Sequence, residues 1–275
     1  MLPGKIFGLF YMYGLMIAIG ILAALGLLFY FGKKKGIEEK FIDFVFYNGI
    51  VSIALGFFSA TLFQSVYNYL DNPEGGFHFG GMTFIGGAIG GILCFLIIYV
   101  ILKKRYKTSL LRVQSFAPCA ILVAHGFGRL GCLFAGCCHG AETDAWYGIY
   151  MHTSAFGYTK VVPTQLFEAL FLFALFVVCF YLVMKKDFKY NFTVYLICYG
   201  IWRFIIEFFR ADNRGSFVEG VSPSQFWSIV MVVAGVACFF VLRFLYKREA
   251  EKNAKLESEQ PQEMQEVQEE GEIAE

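Results

Sequence analysis

The chain is a series of apolar runs, each long enough to cross a lipid bilayer as a helix. A helix rises about 1.5 Å per residue, so roughly 20 apolar residues span the hydrocarbon core of a membrane. Short polar segments separate the runs, which cover residues 7–31, 41–69, 81–102, 110–133, 162–184, 190–209 and 224–246. The pattern predicts an all-α integral membrane protein with a bundle of about seven transmembrane helices.

The composition agrees with a membrane protein and excludes other classes. Of the 275 residues, 57% are hydrophobic and only 16% are charged, which is too apolar for an ordinary soluble domain. The formal net charge of +1 gives no electrostatic reason to expect nucleic acid as a partner. Most of the eight cysteines stand within apolar runs, as small buried residues do, and do not indicate a disulfide framework.

Basic residues fall in alternate connections between the runs. They are concentrated in segments 33–40, 103–107, 185–189 and 243–255, whereas the other connections carry only Lys5, Lys160, Arg210 and Arg214. The positive-inside rule then predicts an N-terminus outside and a C-terminus in the cytoplasm. We expect residues 1–248 to form the transmembrane domain. Residues 249–275 are rich in Glu and Gln, so we expect a disordered or frayed cytoplasmic tail.

With this topology, the polar side chains inside the runs converge on the outer half of the bilayer. Ionisable groups are costly there, so they normally face the bundle interior and mark a site. The converging residues are Tyr13, the glycines of segment 80–87, Arg129, Gln165, Glu168, Arg203 and Glu207.

The sixth apolar run, residues 190–209, carries the clearest arrangement of polar side chains. Tyr199, Arg203 and Glu207 follow at intervals of four and share one face, with Arg210 beyond them. Arg203 and Glu207 could be a pair that only neutralises two buried charges, or Glu207 could orient Arg203 toward a phosphate. Arg129 adds a second arginine with only one obvious carboxylate between the two, which favours an anion such as a lipid phosphate.

Segment 126–140 is the most unusual stretch of the chain. Its sequence, GFGRLGCLFAGCCHG, contains glycines that permit close backbone approach or a break in the helix. Cys132, Cys137, Cys138 and His139 offer soft metal ligands, although their spacing is not that of a known zinc site. A metal or thiol-redox role and simple packing of small residues are both open. His125 and His152 belong to no pattern.

Six ordered motifs resemble those of the prolipoprotein diacylglyceryl transferases, which are seven-helix enzymes of the bacterial inner membrane. They are Tyr13-Gly14, GGMTFIGG at 80–87, GRLGCLFAGCCHG at 128–140, PTQLFEA at 163–169, YGIWRFIIEFFR at 199–210 and SPSQ at 222–225. The resemblance implies transfer of a diacylglyceryl group from phosphatidylglycerol to the lipobox cysteine thiol of a preprolipoprotein, with release of glycerol phosphate. It implies a multi-pass protein of the plasma membrane, with its active site in the extracytoplasmic half.

The resemblance also assigns roles to residues of this chain. Arg129, Arg203 and Glu207 would be catalytic, with the arginines on the phosphate. No metal or organic cofactor is implied, and we expect a monomer whose partners are phosphatidylglycerol, lipobox peptides and membrane lipid. The substrate-binding residues would be Tyr13, Gly86, Gly87, Gly140, Gln165, Glu168, Tyr199 and Arg210.

The chain also departs from the family pattern. Cys132, Ala135 and Cys137 replace asparagines and an acidic residue, and Ile85 and Val162 replace histidines. The group that deprotonates the thiol is therefore open between His139, Glu207 and the departing phosphate. Two other interpretations are a non-catalytic paralogue that binds anionic lipid, and a thiol-redox or metal protein that uses Cys132, Cys137, Cys138 and His139.

Overall fold

The computed structural model describes residues 5–6, 10–81, 83–153, 157–210 and 221–273, and it is mainly helical. Its helices are α1 (Met12–Lys34), α2 (Glu39–Asp71), α3 (Phe84–Leu102), α4 (Leu110–Gln114), α5 (Ala117–Ala135), α6 (Thr164–Lys186), α7 (Asn191–Glu207) and α8 (Pro223–Ile273). Two antiparallel hairpins complete it, β1 (Lys5–Ile6) with β2 (Phe10–Tyr11), and β3 (Ile149–Thr153) with β4 (Gly157–Val161).

Six of the described helices are long and apolar enough to cross a membrane, namely α1, α2, α3, α5, α6 and the first part of α8. The remaining long helix, α7, has 17 residues and carries Arg203 and Glu207. Large apolar side chains on the long helices are widely exposed, among them Leu22, Leu70 and Ile101. Lipid would cover such side chains, so the prediction of an all-α integral membrane protein is confirmed. The orientation of the termini stays a prediction.

The structure differs from the predicted runs in two places. Run 110–133 is broken into α4 and α5, because Pro118 in the first turn of α5 cannot continue a preceding helix. The side chain of Asn191 stabilises the chain at this break, because its Nδ2 donates a hydrogen bond of 3.1 Å to the carbonyl oxygen of Ser115. The hairpin of β3 and β4, between α5 and α6, was not predicted. Helix α8 continues to Ile273, and the separate cytoplasmic tail stays a prediction.

The chain forms two compact units, and residues 25–113 make up one of them. Within this unit, α2 and α3 approach closely through small residues. A Cβ at Gly86 would lie 2.6 Å from Cβ of Phe63, and one at Gly87 would lie 3.2 Å from the carbonyl oxygen of Gly56. Ser59 donates 2.8 Å to the carbonyl of Gly86. Small residues let transmembrane helices pack backbone to backbone, which explains the glycine pattern.

Residues 1–24 and 114–275 form the other unit, in which α5 packs on α6 and α7 packs on α8. Gly126 admits the ring of Phe173, and Gly200 lies against the carbonyl of Ser228. The rings of Phe171 and Trp202 stack 4.5 Å apart and join α6 to α7. This packing brings together the last turns of α5 and α7 and the first turns of α6 and α8, where Arg129, Glu168, Arg203 and Glu207 lie.

Candidate functional site

The first polar cluster joins three helices around the carboxylate of Glu168. Arg129 of α5 pairs through Nε with Oε2 of Glu168 at 3.1 Å. Tyr199 of α7 donates 2.6 Å to the other carboxylate oxygen, Oε1. The side chain of Glu168 is only 1% exposed, whereas that of Arg129 is 19% exposed. Glu168 is thus a buried anchor that fixes Arg129 while part of the guanidinium stays accessible.

Two aromatic side chains fix the phenol of Tyr199. His125, one helical turn before Arg129 on α5, places Nε2 3.4 Å from the Tyr199 hydroxyl oxygen. Tyr195 stacks on Tyr199 with ring centroids 5.9 Å apart. No role was predicted for His125, although its spacing of four from Arg129 places both residues on one face of α5.

The second polar cluster is built around Glu207, at the end of α7. Oε2 of Glu207 lies 2.8 Å from the Nη1 of Arg203 and 3.7 Å from Nε of Arg210. Oε1 accepts a 2.9 Å hydrogen bond from Ser222. Arg203 also donates 2.7 Å from Nη2 to Ser224. Oε1 of Glu207 accepts from a hydroxyl and Oε2 is ion-paired with both guanidinium groups, so the residue is placed to orient the two arginines.

The serines of this second cluster belong to the first turn of α8. Ser222 accepts a hydrogen bond of 3.2 Å from the Gln225 N–H, and Gln225 returns one by accepting 3.1 Å from the Ser222 N–H. This is a capping box, with Pro223 at the first helical position. The hydroxyl of Ser222 therefore caps the N-terminus of α8 and also donates a hydrogen bond to Glu207. The SPSQ motif alone did not reveal this double role.

Segment 132–140 turns back at the end of α5 through a Schellman motif. The N–H of Gly136 donates 3.3 Å to the carbonyl of Leu133, and that of Cys137 donates 3.2 Å to the carbonyl of Cys132. Gly136 has a φ of +69°, and a Cβ there would lie 2.2 Å from the carbonyl oxygen of His152. Only glycine suits this position, and the turn carries the chain back over Cys132.

This turn brings three thiols together. The sulfur atoms of Cys132, Cys137 and Cys138 all lie within 4.8 Å of one another. Hydrogen bonds from Cys132 and Cys137, with the guanidinium of Arg210 beside it, hold the pKa of the Cys138 thiol well below its usual range. His139 is not part of this group among the described residues. Its Nδ1 donates 2.9 Å to the carbonyl of Gly140, which leaves Nε2 as the basic nitrogen of the neutral ring.

The first residues of α6 hold this loop in place. Gln165 donates 2.6 Å to the carbonyl of Cys137, and Thr164 donates 2.9 Å to that of Cys138. Gly140 forms a β-bridge with Arg210, and a Cβ there would lie 2.4 Å from the carbonyl oxygen of Phe209. Gln165 and Gly140 therefore position the backbone that joins the thiols to the end of α7.

The remaining predicted residues are more dispersed. Tyr13 lies against Gly131 of α5, with its Cδ2 3.1 Å from where a Cβ would stand, and the residue is 43% exposed. Gly86 and Gly87 belong to the unit of residues 25–113, where they face α2. Ala135 ends α5, and Val162 is buried and donates 3.0 Å to the carbonyl of Ala141. The side chain of Ile85 lies outside the described residues.

The two clusters together hold several arginines beside buried carboxylates. Three guanidinium groups, those of Arg129, Arg203 and Arg210, face two carboxylates, those of Glu168 and Glu207. The expectation of one carboxylate for two arginines is wrong, because Arg129 has its own partner, Glu168, on another helix. Arginines held in this way at helix ends of a membrane protein suit the recognition of an anion.

The fold and the two clusters define a polytopic membrane protein with a cationic site between helix ends. The sequence profile of the prolipoprotein diacylglyceryl transferase family matches residues 5–241, and the chain belongs to this family. It is 36% identical over 219 residues to the phosphatidylglycerol–prolipoprotein diacylglyceryl transferase of Clostridium tetani, which covers 77% of this chain and 85% of that protein.

Two further relatives show the same similarity. A second phosphatidylglycerol–prolipoprotein diacylglyceryl transferase of Clostridium perfringens is 36% identical over 168 residues, covering 60% of this chain and 62% of that protein. The transferase of the same name from Idiomarina loihiensis is 30% identical over 207 residues, covering 72% and 75%. The resemblance drawn from the six motifs is confirmed at the level of the family.

Proposed function

We propose that this protein transfers the diacylglyceryl group of phosphatidylglycerol to the lipobox cysteine thiol of preprolipoproteins. The observation that carries the proposal is a set of arginines oriented by carboxylates at helix ends in a chain of this family. An anionic lipid already in the bilayer presents a phosphate group that such guanidinium groups bind. The relatives carry the name of this activity.

The reaction needs little covalent chemistry from the protein. The substrate sulfur attacks the glycerol carbon next to the phosphate and forms a thioether, and the carbon–oxygen bond breaks with its electron pair leaving on glycerol phosphate. Negative charge grows on the leaving phosphate oxygen, so fixed cations beside that oxygen lower the barrier. The nucleophile belongs to the substrate, and the chain must supply binding, orientation and a route for the thiol proton.

Arg203 and Arg129 are the residues we assign to the phosphate. Glu207 holds Arg203 at 2.8 Å and Glu168 holds Arg129 at 3.1 Å, so each guanidinium is oriented before the lipid binds. Orientation in advance avoids an ordering cost in the transition state. Arg210 shares Glu207 with Arg203 and would add the third positive charge.

The geometry of the site narrows the choice of the group that accepts the proton of the substrate thiol. Oε1 of Glu207 accepts a hydrogen bond from Ser222 and Oε2 is ion-paired with two guanidinium groups, which makes Glu207 an orienting residue. His139 keeps Nε2 as its basic nitrogen and stands next to Cys138 in the loop. We therefore assign the proton to His139 or to the departing phosphate.

We place the protein in the bacterial plasma membrane with the two clusters in the extracytoplasmic half. The alternation of basic connections supports this orientation. We also expect a monomer as the active form.

The test is turnover by the full-length protein in detergent with phosphatidylglycerol and a lipobox peptide. Mass spectrometry should find the diacylglyceryl peptide and released glycerol phosphate. Arg203→Lys keeps the charge but cannot engage Glu207 and Ser224 together, and we expect the rate to fall about 100-fold. Arg243→Lys, toward the other end of the membrane part of α8, is the matched control and should keep full activity. Lipid binding without any product from the parent protein would overturn the proposal.

A further inference from the structure

The group of Cys132, Cys137 and Cys138 is not used by the phosphate chemistry described above. All three are free thiols, and their sulfur atoms lie within 4.8 Å of one another. Zinc–sulfur bonds of about 2.3 Å place the ligand sulfurs of a tetrahedral site about 3.8 Å apart. Side-chain rotations that move each sulfur atom by less than an ångström would therefore bring the three thiols to metal-binding geometry.

The backbone already holds the three cysteines for such a site. The Schellman turn at Gly136 returns Cys137 over Cys132, and Thr164 and Gln165 tie the carbonyls of the two adjacent cysteines to α6. These hydrogen bonds fix the loop without using a thiol. A ligand set held by its backbone loses little freedom when a metal binds.

We propose that Cys132, Cys137 and Cys138 bind one thiophilic d¹⁰ cation, with Zn²⁺ as the probe, and that the open coordination position receives the substrate's cysteine thiol. The metal site itself is independent of the proposed function. The second half of the inference rests on that function, since it assigns the step in which the thiol loses its proton.

Three ligands and one open position distinguish a catalytic zinc from a structural one. Structural sites are closed by four protein ligands, whereas catalytic sites keep one position for water or substrate. Among the described residues, the group holds three ligand atoms and does not include His139. Cys137 is exposed, so a peptide thiol can approach the fourth position.

A bound metal would replace His139 and the departing phosphate as the group that activates the substrate thiol. A thiol that coordinates zinc gives up its proton, in this case to solvent at the exposed edge beside Cys137, and remains bound as a thiolate. The thiolate sulfur then attacks the glycerol carbon, and the carbon–oxygen electron pair leaves with the phosphate. The thioether product is a neutral and weaker ligand, so it dissociates, and the cation keeps its oxidation state throughout.

The position of the group suits this step. The guanidinium of Arg210 lies beside Cys138 and also 3.7 Å from Glu207, which in turn holds Arg203. Arg210 thus links the three thiols to the arginines that we assign to the phosphate. A thiol site next to a phosphate site is what a displacement at the carbon attached to that phosphate requires.

The first experiment measures metal bound to the purified full-length protein. After incubation with Zn²⁺ and removal of excess metal, we expect about one zinc per chain, and a loss of at least about tenfold in Cys137→Ser. Cys137 is exposed, so its replacement leaves packing intact. The matched control, Cys94→Ser on α3, should keep the zinc. Zinc retained by Cys137→Ser, or a parent chain lighter by two hydrogens through a disulfide within the group, would overturn the metal site.

The second experiment loads the protein with Co²⁺ and follows its thiolate charge-transfer band. A lipobox peptide with its cysteine should strengthen the band by about a third, as a fourth thiolate joins three. The same peptide with Ser in place of Cys should leave the band unchanged. An unchanged band with both peptides would overturn the activation step. A band that responds to the thiol in a protein that never turns over phosphatidylglycerol would uphold this inference and refute the proposed function.

Discussion

The phenol of Tyr199 on α7 donates a 2.6 Å hydrogen bond to Oε1 of Glu168 on α6, and the two residues are 31 positions apart in the sequence. Arg129 engages the other oxygen of the same carboxylate. Glu168 is therefore satisfied on both oxygens while it is 1% exposed. A buried carboxylate with such partners stabilises the bundle and presents Arg129 in one orientation.

Replacement of Glu168 by Gln should remove the charge that balances Arg129 and leave a guanidinium unpaired in the bundle. Loss of one partner of a buried pair costs roughly 3 to 5 kcal/mol, so we expect about 3 kcal/mol less free energy of unfolding. Thermal unfolding in detergent measures it. The control, Glu251→Gln, breaks the exposed pair with Lys247 and should change nothing measurable. Equal losses in the two variants would contradict the buried pair.

Tyr199→Phe removes only the hydroxyl group. A hydrogen bond to a charged group contributes roughly 1.5 to 3 kcal/mol, and we expect the rate of diacylglyceryl transfer to fall at least about tenfold because Arg129 loses its fixed support. Tyr181→Phe on α6 is the matched control, since that ring is 54% exposed. A Tyr199→Phe variant as fast as the control would show that the hydroxyl does not support the site.

The helices could be predicted from the sequence because a membrane helix is a local pattern of about 20 apolar residues. Tyr199, Arg203 and Glu207 could be placed together for the same reason, since all three stand on α7 at intervals of one turn. The pairing of Arg129 with Glu168 joins two helices, and no spacing in the chain records it. The sequence alone therefore does not reveal which carboxylate belongs to Arg129.

Other features of the structure have a partial signal in the sequence. Pro118 marks the break between α4 and α5, because the ring removes a backbone donor at the start of a helix. Ser222 and Gln225 have the spacing of a capping box, but the contact from Ser222 to Glu207 depends on how α7 and α8 pack. The clustering of the thiols depends on the positive φ of Gly136, which a glycine permits but does not require.

The double role of Ser222 can be separated into its parts. Ser222→Ala removes both the cap of α8 and the hydrogen bond to Glu207, and should cost about 1 kcal/mol of stability together with a lower transfer rate. Gln225→Ala removes only the capping contact, so it should affect stability and leave the rate nearly unchanged. Ser222→Thr keeps the hydroxyl and should restore both. Thermal unfolding and turnover of the three variants check this, and an equal rate loss in Gln225→Ala would refute the separate contact.

Gly86→Ala tests whether that glycine serves helix packing in the unit of residues 25–113. The new Cβ would lie 2.6 Å from Cβ of Phe63, so α2 and α3 must shift apart, and overpacking of this kind costs roughly 1 to 3 kcal/mol. Gly49→Ala on α2 is the control, because a Cβ there meets no atom of the described chain within 4 Å. The melting temperature should fall for Gly86→Ala alone. Unchanged stability with weaker binding of phosphatidylglycerol would instead support the substrate role predicted for Gly86.

Gly136→Ala and Gly128→Ala form a matched pair that isolates the turn at the end of α5. At Gly136, the φ of +69° disfavours alanine and its Cβ would lie 2.2 Å from the His152 carbonyl oxygen, so the turn must open at a cost of at least about 1 to 3 kcal/mol. At Gly128, within α5, a Cβ has no described atom within 4 Å, and alanine should stabilise the helix by up to about 1 kcal/mol. The melting temperature should therefore fall for Gly136→Ala and rise for Gly128→Ala. The rate of maleimide labelling at Cys137 should rise only in Gly136→Ala, because the same turn holds the three thiols together; equal labelling in the two variants would show that the thiols cluster without it.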